Sequence, residues 1–416
     1  MSDDREPARD AYDAIIDIAG DAQRGQHAYA LVKKTYSFGL TTKDTEPAKA
    51  RPLAMDMRDP ELEPRMPSDT DFWPFRSGTD VLVYGSAFAP GGAPIADMVV
   101  GVGVGRATKQ ARVFGPRMLD RSAAGKISVS AEPFVEVPLT WANAYGGVDF
   151  DINDERFESL AHDILTHWDH PGMYPRNPHG TGYMVKDQAV EGMPLPQVED
   201  PRSVLTAANL LVGDPRNWWK QPLPCGFGAM HIMAFPRFTL FAPEIDAWYP
   251  GPDDETLPEV QRGFLEPNYR SLALAQSDDT EAIDPRVSQE GSHGMTFYED
   301  IARAPVRING MHPEYKDLQF NVPDGPALEI AVDGKRTSVR PRLYKLTVHP
   351  TEQEFTVLYG ASLKMPRALI PGIHKHIPLE LHVDGDSPVP FETPPTLKDM
   401  TAEAQKNPRP PPVGHE

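Results

Sequence analysis

Short runs with strand periodicity, separated by turn residues, mark both the N-terminal half and the C-terminal quarter of the chain. Residues 81–88 form a nearly continuous apolar run, and the Pro-Gly-Gly sequence that follows it is dense in turn residues. Within residues 100–105 valine alternates with glycine, which puts the valines on one face of a strand and the glycines on the other. Residues 108–114 are expected to return as the paired strand. The glycine face predicts that another part of the protein lies very close to that backbone.

Two β-hairpins are predicted near the C-terminus. Residues 327–339 form the first, because the Asp-Gly pair at 333–334 separates two alternating runs and is typical of a type I′ turn. Residues 344–359 form the second, around a His-Pro-Thr turn. Upstream, residues 28–38 also have strand composition.

The composition opposes long helices. The chain contains 45 prolines and 32 glycines, and proline stops helices and avoids central strands. Residues 149–235 are the least periodic part, and within them only Ser203 to Leu211 is predicted to be helical. We therefore expect a mainly β fold of packed antiparallel, sandwich-like sheets with long irregular loops and few short helices.

The pattern divides the chain into four segments. They are a polar N-terminal arm (1–12), a large β-rich domain (13–304), a smaller C-terminal β unit (305–383) and a proline-rich tail (384–416). The tail is interpreted as disordered, with a polyproline ligand as the alternative.

The charge excludes several classes of partner. Aspartate and glutamate number 60 against 41 lysines and arginines, so the formal net charge is −19. Nucleic-acid binders need clustered cations on phosphates, and anionic membranes attract cationic surfaces. We expect neither nucleic acid nor membrane as a partner. The N-terminus has no apolar run and no stretch approaches a membrane span, so the predicted location is cytoplasmic.

The single cysteine, Cys225, excludes an intrachain disulfide and any multi-cysteine metal site. A nucleophilic thiol needs a base and a pKa-lowering cation, and the sequence indicates neither. A small buried thiol in a turn is the favoured interpretation. The glycine run at 101–105 has the wrong spacing for a dinucleotide-binding loop, and the strand interpretation is favoured there.

Two groups of residues in the sequence contain potential metal ligands. Residues 149–155 are acidic but lack the glycine and glutamate that complete an EF-hand, so a solvated loop is favoured and a different calcium site is the alternative. The histidines form two sets that match no metalloenzyme spacing: His162, His167, His170 and His179, and then His374, His376 and His382. The sequence therefore predicts no catalytic residue, no cofactor and no metal site.

Seven blocks, in order, resemble the DUF2169 family and cover residues 28–325. They are VKKTY (32–36), TDVLVYGSAFAPGG (79–92), VFGPR (113–117), PLTWANAYGGVD (138–149), NPHGTG (177–182), LPQVEDP (195–201) and PCGFG (224–228). The chain departs from the family pattern at Pro116, at the Ala-Asn pair 142–143 and at Tyr145. The pair replaces a Glu-Arg pair of the family, so an ion pair made there by relatives is absent from this chain.

The resemblance implies a cytoplasmic accessory protein of bacterial type VI secretion. Such a protein is an adaptor or chaperone that binds a secreted effector toxin and helps to load it onto the VgrG/PAAR spike. No catalytic residue belongs to the family pattern. The matching positions are interpreted as structural: Asp80, Gly85, Phe114, Gly115, Arg117, Gly146, Gly147, Asn177, Pro178, Gly180, Gly182, Gly226, Phe227 and Gly228.

Aromatic residues in the irregular region are the candidates for partner binding, because aromatic anchors dominate interface energies. They are Trp141, Tyr145, Trp168, Trp218 and Trp219. Filling the core is the competing role. It is favoured for Trp141 and Tyr145, whereas the two roles are balanced for Trp218 and Trp219.

Two other functions stay open. One is a metal-assisted or carbohydrate-active hydrolase that uses the Asp- and His-rich loops at 149–182, which requires carboxylates or imidazoles converging on a pocket. The other is a structural component retained in the secretion apparatus. The cargo, the contact surface and the stoichiometry are not set by the sequence.

Overall fold

The computed structural model confirms the mainly β class. It describes residues 11–21, 25–54, 70–71, 76–121, 127–149, 173–184, 192–206, 209–211, 213, 220–231, 234, 289–366 and 378–391. The only helices in these residues are two single 3-10 turns, Pro90–Gly92 and Trp141–Asn143. None of the described helices is long and apolar enough to cross a membrane. Residues 1–10 of the arm, residues 392–416 of the tail and all of residues 150–172 lie outside the described residues.

Strands are numbered in chain order. The first fourteen are β1 (Asp13–Asp21), β2 (Gly25–Ser37), β3 (Glu46–Pro47), β4 (Thr79–Val83), β5 (Ser86–Phe88), β6 (Asp97–Val104), β7 (Ala107–Phe114), β8 (Arg117–Arg121), β9 (Ile127–Ala131), β10 (Glu136–Pro138), β11 (Tyr145–Gly146), β12 (Thr181–Gly182), β13 (Pro194–Leu195) and β14 (Val198–Glu199). The remaining nine are β15 (Thr296–Phe297), β16 (Pro305–Asn309), β17 (Asp317–Asn321), β18 (Leu328–Val332), β19 (Lys335–Val339), β20 (Arg342–His349), β21 (Glu354–Lys364), β22 (Leu379–Val383) and β23 (Val389–Pro390).

These strands form six sheets. The largest has the order β1-β2-β21-β20-β4-β15, with β3 paired to β2. A five-stranded sheet has the order β14-β7-β6-β16-β17, a four-stranded sheet β19-β18-β22-β23 and a three-stranded sheet β13-β8-β9. Two small pairs, β10-β5 and β11-β12, complete the set. Pairing is mostly antiparallel, but β20 runs parallel to β4 and β11 parallel to β12.

Contacts divide the chain into two compact units. The first comprises Met1–Asp13, Lys33–Asp324 and Leu343–Leu358, and the second Ala14–Val32, Gly325–Arg342 and Tyr359–Glu416. The segment boundaries at 304 and 383 stay a prediction.

In the first unit the predicted strand pattern is confirmed. All five residues of β4 are buried, as expected for its continuous apolar run. Val100, Val102 and Val104 are buried on β6, and β7 pairs with β6 along its whole length. The close neighbour of the glycine face is the paired strand itself, since a Cβ at Gly101 would lie 3.2 Å from the Lys109 carbonyl oxygen.

In the second unit the predicted hairpin is confirmed by β18 and β19, which pair from Leu328 to Val339. Asp333 and Gly334 both have positive φ, at 50° and 76°, as a type I′ turn requires. The other side of β18 pairs with β22, and apolar residues of both strands are buried.

The predicted helix at Ser203–Leu211 is wrong in its described residues, which form bends and irregular chain. The Asn209 side chain accepts hydrogen bonds from the backbone N–H and the hydroxyl of Thr206, at 2.6 and 3.0 Å. Such local side-chain bonds offer the backbone an alternative to the helix.

Candidate functional site

The family positions are all buried or half-buried, and their structural role stays a prediction. Asp80 is the most enclosed of the charged ones. Its Oδ1 accepts from Gln289 Nε2 at 3.0 Å and from Thr296 Oγ1 at 2.7 Å. Its Oδ2 accepts from the Glu290 backbone N–H at 2.7 Å and pairs with Arg76 at 3.0 Å. One carboxylate therefore ties together segments that are about two hundred residues apart.

The ion pairs continue from Arg76 through the interior of the first unit. Arg76 contacts Glu290 at 3.3 Å, and Glu290 contacts Lys345 at 3.1 Å. Lys345 also contacts Asp71 at 3.0 Å, and Asp71 contacts Lys33 at 2.8 Å. With Asp80 the network contains three cations and three carboxylates, so its formal charges cancel.

Asp71 shows how strongly the network holds its charges. Burial alone would raise the pKa of this carboxyl, but the ammonium groups of Lys345 and Lys33 outweigh burial and keep the pKa well below its ordinary value. The carboxylates are saturated by cations and hydrogen-bond donors. We interpret the network as a set of ion pairs that holds distant chain segments together, and not as a ligand-binding site.

Asn177 and Gly146 form a second buried cluster, in which two chain segments pack closely together. Asn177 Nδ2 donates to the backbone oxygens of Trp141 at 2.8 Å and Tyr145 at 3.1 Å. Gly146 has φ 151°, and a Cβ there would collide with the Asn177 carbonyl oxygen. The other family residues of this region, Gly147, Pro178, Gly180 and Gly182, lie in the same two chain segments.

Trp141 and Tyr145 are buried, in accord with their favoured core role. Trp141 Nε1 donates to the Gly228 carbonyl at 3.3 Å, and its ring covers Gly226, where a Cβ would lie 2.6 Å from the indole. Tyr145 donates its hydroxyl to Gln221 Oε1 at 2.9 Å. A partner cannot reach these rings in this conformation. The other three candidate anchors, Trp168, Trp218 and Trp219, lie outside the described residues.

Arg117 forms a third buried centre at the start of β8. It pairs with Glu199 at 2.6 Å and donates to the Pro196 carbonyl, while its guanidinium lies 3.9 Å from the centroid of the Phe114 ring. Gly115, two residues before Arg117, is also buried. This centre therefore joins two of the family blocks. Elsewhere in the first unit, the family position Gly85 packs near Pro350.

One cleft of the first unit brings ionisable groups together at the surface. It has a volume of about 280 Å³. Its polar lining comes from Lys109, Asp200, Arg202, Cys225 and His293. Its apolar lining comes from Pro201, Leu223 and Pro224.

Lys109 is the central cation of the cleft. Its Nζ donates to Ser292 Oγ at 2.6 Å and to the His293 carbonyl at 3.2 Å, and it lies 5.6 Å from the centroid of the Phe227 ring. No carboxylate of the described residues lies within ion-pair distance of it. Burial lowers its pKa. Asp200 is occupied elsewhere, because its two oxygens bind the Arg202 guanidinium at 3.0 and 2.7 Å.

The two remaining ionisable groups of the cleft, Cys225 and His293, are neutral near pH 7. Burial raises the pKa of the Cys225 thiol to about 11, although Lys109 opposes this shift. Burial, with the nearby cations Lys109 and Arg202, lowers the pKa of His293 to about 4. A neutral thiol is a poor nucleophile. Cys225 is buried, as the favoured interpretation expected, and lies in irregular chain.

Sequence reasoning singled out Cys225 but missed Lys109, Asp200, Arg202 and His293. Together with Cys225, these residues come from four separate segments of the chain, and only the folded chain brings them together. Asp200 and Cys225 lie in family blocks, which was the one available hint.

A second surface of the first unit is the edge strand β9. In the three-stranded sheet β9 pairs with β8, and the described residues place no strand on its other side. Val129 lies opposite Leu119 in register and shares its face. Leu119 is buried in a cluster with Met184, Leu195 and Leu210, whereas Val129 is 54% exposed. Both residues line a cavity of about 90 Å³, whose other walls include three more leucines beside Arg117, Ser128 and Thr206.

The two histidine sets and the acidic loop at 149–155 are only partly described. Within the described residues no group of three potential ligands is placed to hold a metal. His179 and His231 lie edge to face at 4.7 Å between ring centroids, and His382 is buried 3.6 Å from Glu380. The other histidines of the two sets and residues 150–155 lie outside the described residues.

Comparison with known proteins gives one match. The model of the family DUF2169, described as an uncharacterized protein conserved in bacteria, matches residues 23–359. No curated protein and no solved structure matches the chain. The matched range includes the seven blocks, the buried network, the cleft and β9.

Proposed function

The chain belongs to the DUF2169 family, and from this premise we propose that it is a non-enzymatic adaptor of type VI secretion in the bacterial cytoplasm. It binds an effector toxin and helps to load it onto the VgrG/PAAR spike. The observation that carries the proposal is the edge strand β9, which offers a polypeptide a place to bind.

The β9 edge differs from a protected sheet edge. Natural proteins guard edge strands with charged residues, because unpaired backbone groups recruit other strands. The edge strand β19 follows this rule, since it begins with Lys335 and Arg336. The sequence of β9 is Ile-Ser-Val-Ser-Ala and contains no charge.

The chemistry of the surface defines the occupant. An extended segment of the effector would pair its backbone with β9 and place an apolar side chain over Val129, towards the small leucine-lined cavity. Covering that effector segment would also keep it from aggregating. The neutral thiol and imidazole of the cleft support a binding role, since neither is activated for covalent chemistry.

Co-expression with a candidate effector toxin tests the proposal. We expect Val129→Lys to reduce the toxin recovered in complex by at least about tenfold, because a charge at the edge opposes strand addition. Val99→Lys is the matched control: it places the same charge on another exposed valine, which is 46% exposed on β6. Equal recovery with both variants would remove β9 from the proposal. A toxin that is equally soluble and equally secreted without this chain would reject the adaptor function itself.

A further inference from the structure

We propose that the cleft around Lys109 is a binding site for a single carboxylate group. The proposal rests on the geometry of the cleft and does not depend on the adaptor function. Its first support is the Lys109 side chain, which lines the cleft and meets two neutral oxygens, Ser292 Oγ and the His293 carbonyl. An ammonium carries three donors, so one donor of Lys109 is left for a ligand.

The charge count of the lining favours a monoanion. Arg202 and Asp200 neutralise each other through a bidentate pair, and Arg202 also donates its backbone N–H to Asp200 Oδ1 at 2.8 Å. His293 and Cys225 are neutral near pH 7. With Lys109 as an ammonium, the lining carries one net positive charge, and a bound anion would favour that charged form against the effect of burial, which lowers the Lys109 pKa. A carboxylate matches that charge, whereas a phosphate dianion would leave a negative charge in the cleft.

The size and the walls of the cleft limit the ligand further. A volume of about 280 Å³ lies just below the range of roughly 300–1,000 Å³ typical of small-molecule sites. Pro201, Leu223 and Pro224 supply apolar walls beside the ammonium. A ligand of this shape has one carboxylate and one modest apolar group, such as the last residue of a polypeptide or a free carboxylic acid of similar size.

A bound carboxylate would also compensate the positive charge of the buried Lys109 ammonium. Burial removes water from its ammonium, which is why its pKa is lowered. A bound carboxylate replaces the lost water with an opposite charge in a desolvated setting, where charge-assisted hydrogen bonds are strong.

Calorimetry on the full chain tests the site with N-acetyl-leucine and its neutral amide. We expect the acid to bind at least about tenfold more tightly than the amide, since only the acid pairs with the ammonium. Lys109→Met should remove this preference and Lys109→Arg should retain it. Equal affinity of acid and amide for the unmodified chain would overturn the proposal, and this comparison does not require that any variant fold.

Two further arms identify the source of the carboxylate and check the charge count. A tetrapeptide with a free C-terminus should bind more tightly than the amidated one if a polypeptide end is the ligand; binding of N-acetyl-leucine alone indicates a free acid. Asp200→Asn releases Arg202, so inorganic phosphate should then bind at least about tenfold better than to the unmodified chain. Phosphate binding to the unmodified chain more tightly than N-acetyl-leucine would contradict the monoanion assignment.

Discussion

Two lysines of the first unit have opposite surroundings. Lys345 is buried between Asp71 and Glu290, at 3.0 and 3.1 Å, and also donates to the Thr70 carbonyl at 2.9 Å. Lys109 lines a cleft and contacts a hydroxyl and a carbonyl, with no carboxylate of the described residues in ion-pair range. The first cation contacts two carboxylates directly, whereas the second has only neutral hydrogen-bond partners, and Asp200 acts on it from beyond ion-pair range.

This difference distinguishes a lysine that stabilises the fold from a lysine that is available to bind a ligand. A buried charge must be compensated, because an unpaired one is expensive. Where the fold itself supplies the opposite charge, as at Lys345, the residue holds segments together. Where the fold supplies neutral acceptors and an opening, as at Lys109, the missing charge is that of a ligand.

The largest expected effect is on stability. Lys345→Met leaves Asp71 and Glu290 buried with less compensation, and we expect the free energy of unfolding to fall by about 3–5 kcal/mol. Lys109→Met keeps the aliphatic stem and strands no carboxylate, so its expected change is below about 1 kcal/mol. Urea denaturation of the full chain measures both. Similar losses in the two variants would break the comparison.

The pH dependence of stability gives the next effect. The folded-state pKa of Asp71 is lowered below its unfolded value of about 3.9, so its contribution is complete above that value and is lost as the pH falls below it. Between the unfolded and folded pKa values the slope is about 1.4 kcal/mol per pH unit. Asp71→Asn should flatten this part of the curve, which urea midpoints measured between about pH 5 and pH 2 would show. An unchanged acid slope in Asp71→Asn would contradict the charge assignment.

The smallest effect concerns Cys225, the only cysteine of the chain. Its raised pKa predicts slow labelling by a thiol reagent near pH 7, because little thiolate is present. Lys109 lowers the pKa of this thiol, so Lys109→Met should slow the labelling further, while Lys109→Arg should not. Faster labelling of Lys109→Met would mean that the ammonium does not act on the thiol.

Local features of the fold were predictable because they depend on neighbouring residues. The Asp333-Gly334 turn sets its own hairpin, and the alternation at 100–105 sets which valines are buried. The helix at Ser203–Leu211 failed for a local reason as well, since the Asn209 side chain competes for the backbone of Thr206. Periodicity does not report that competition.

The candidate site was not predictable in the same way. Lys109 read as an ordinary residue of β7, and His293 stood in no motif. Their meaning depends on which groups lie near them, and those groups come from segments far apart in the sequence. The same holds for Val129, whose exposure follows from the place of β9 at the edge of its sheet.

By itself the sequence determined the mainly β class, the turns that set its hairpins and the family to which the chain belongs, because residue type and spacing act over short distances. The tertiary structure decided which charges are compensated and which are left for a ligand. Compensation depends on distances of a few ångströms between side chains that the chain order keeps hundreds of residues apart.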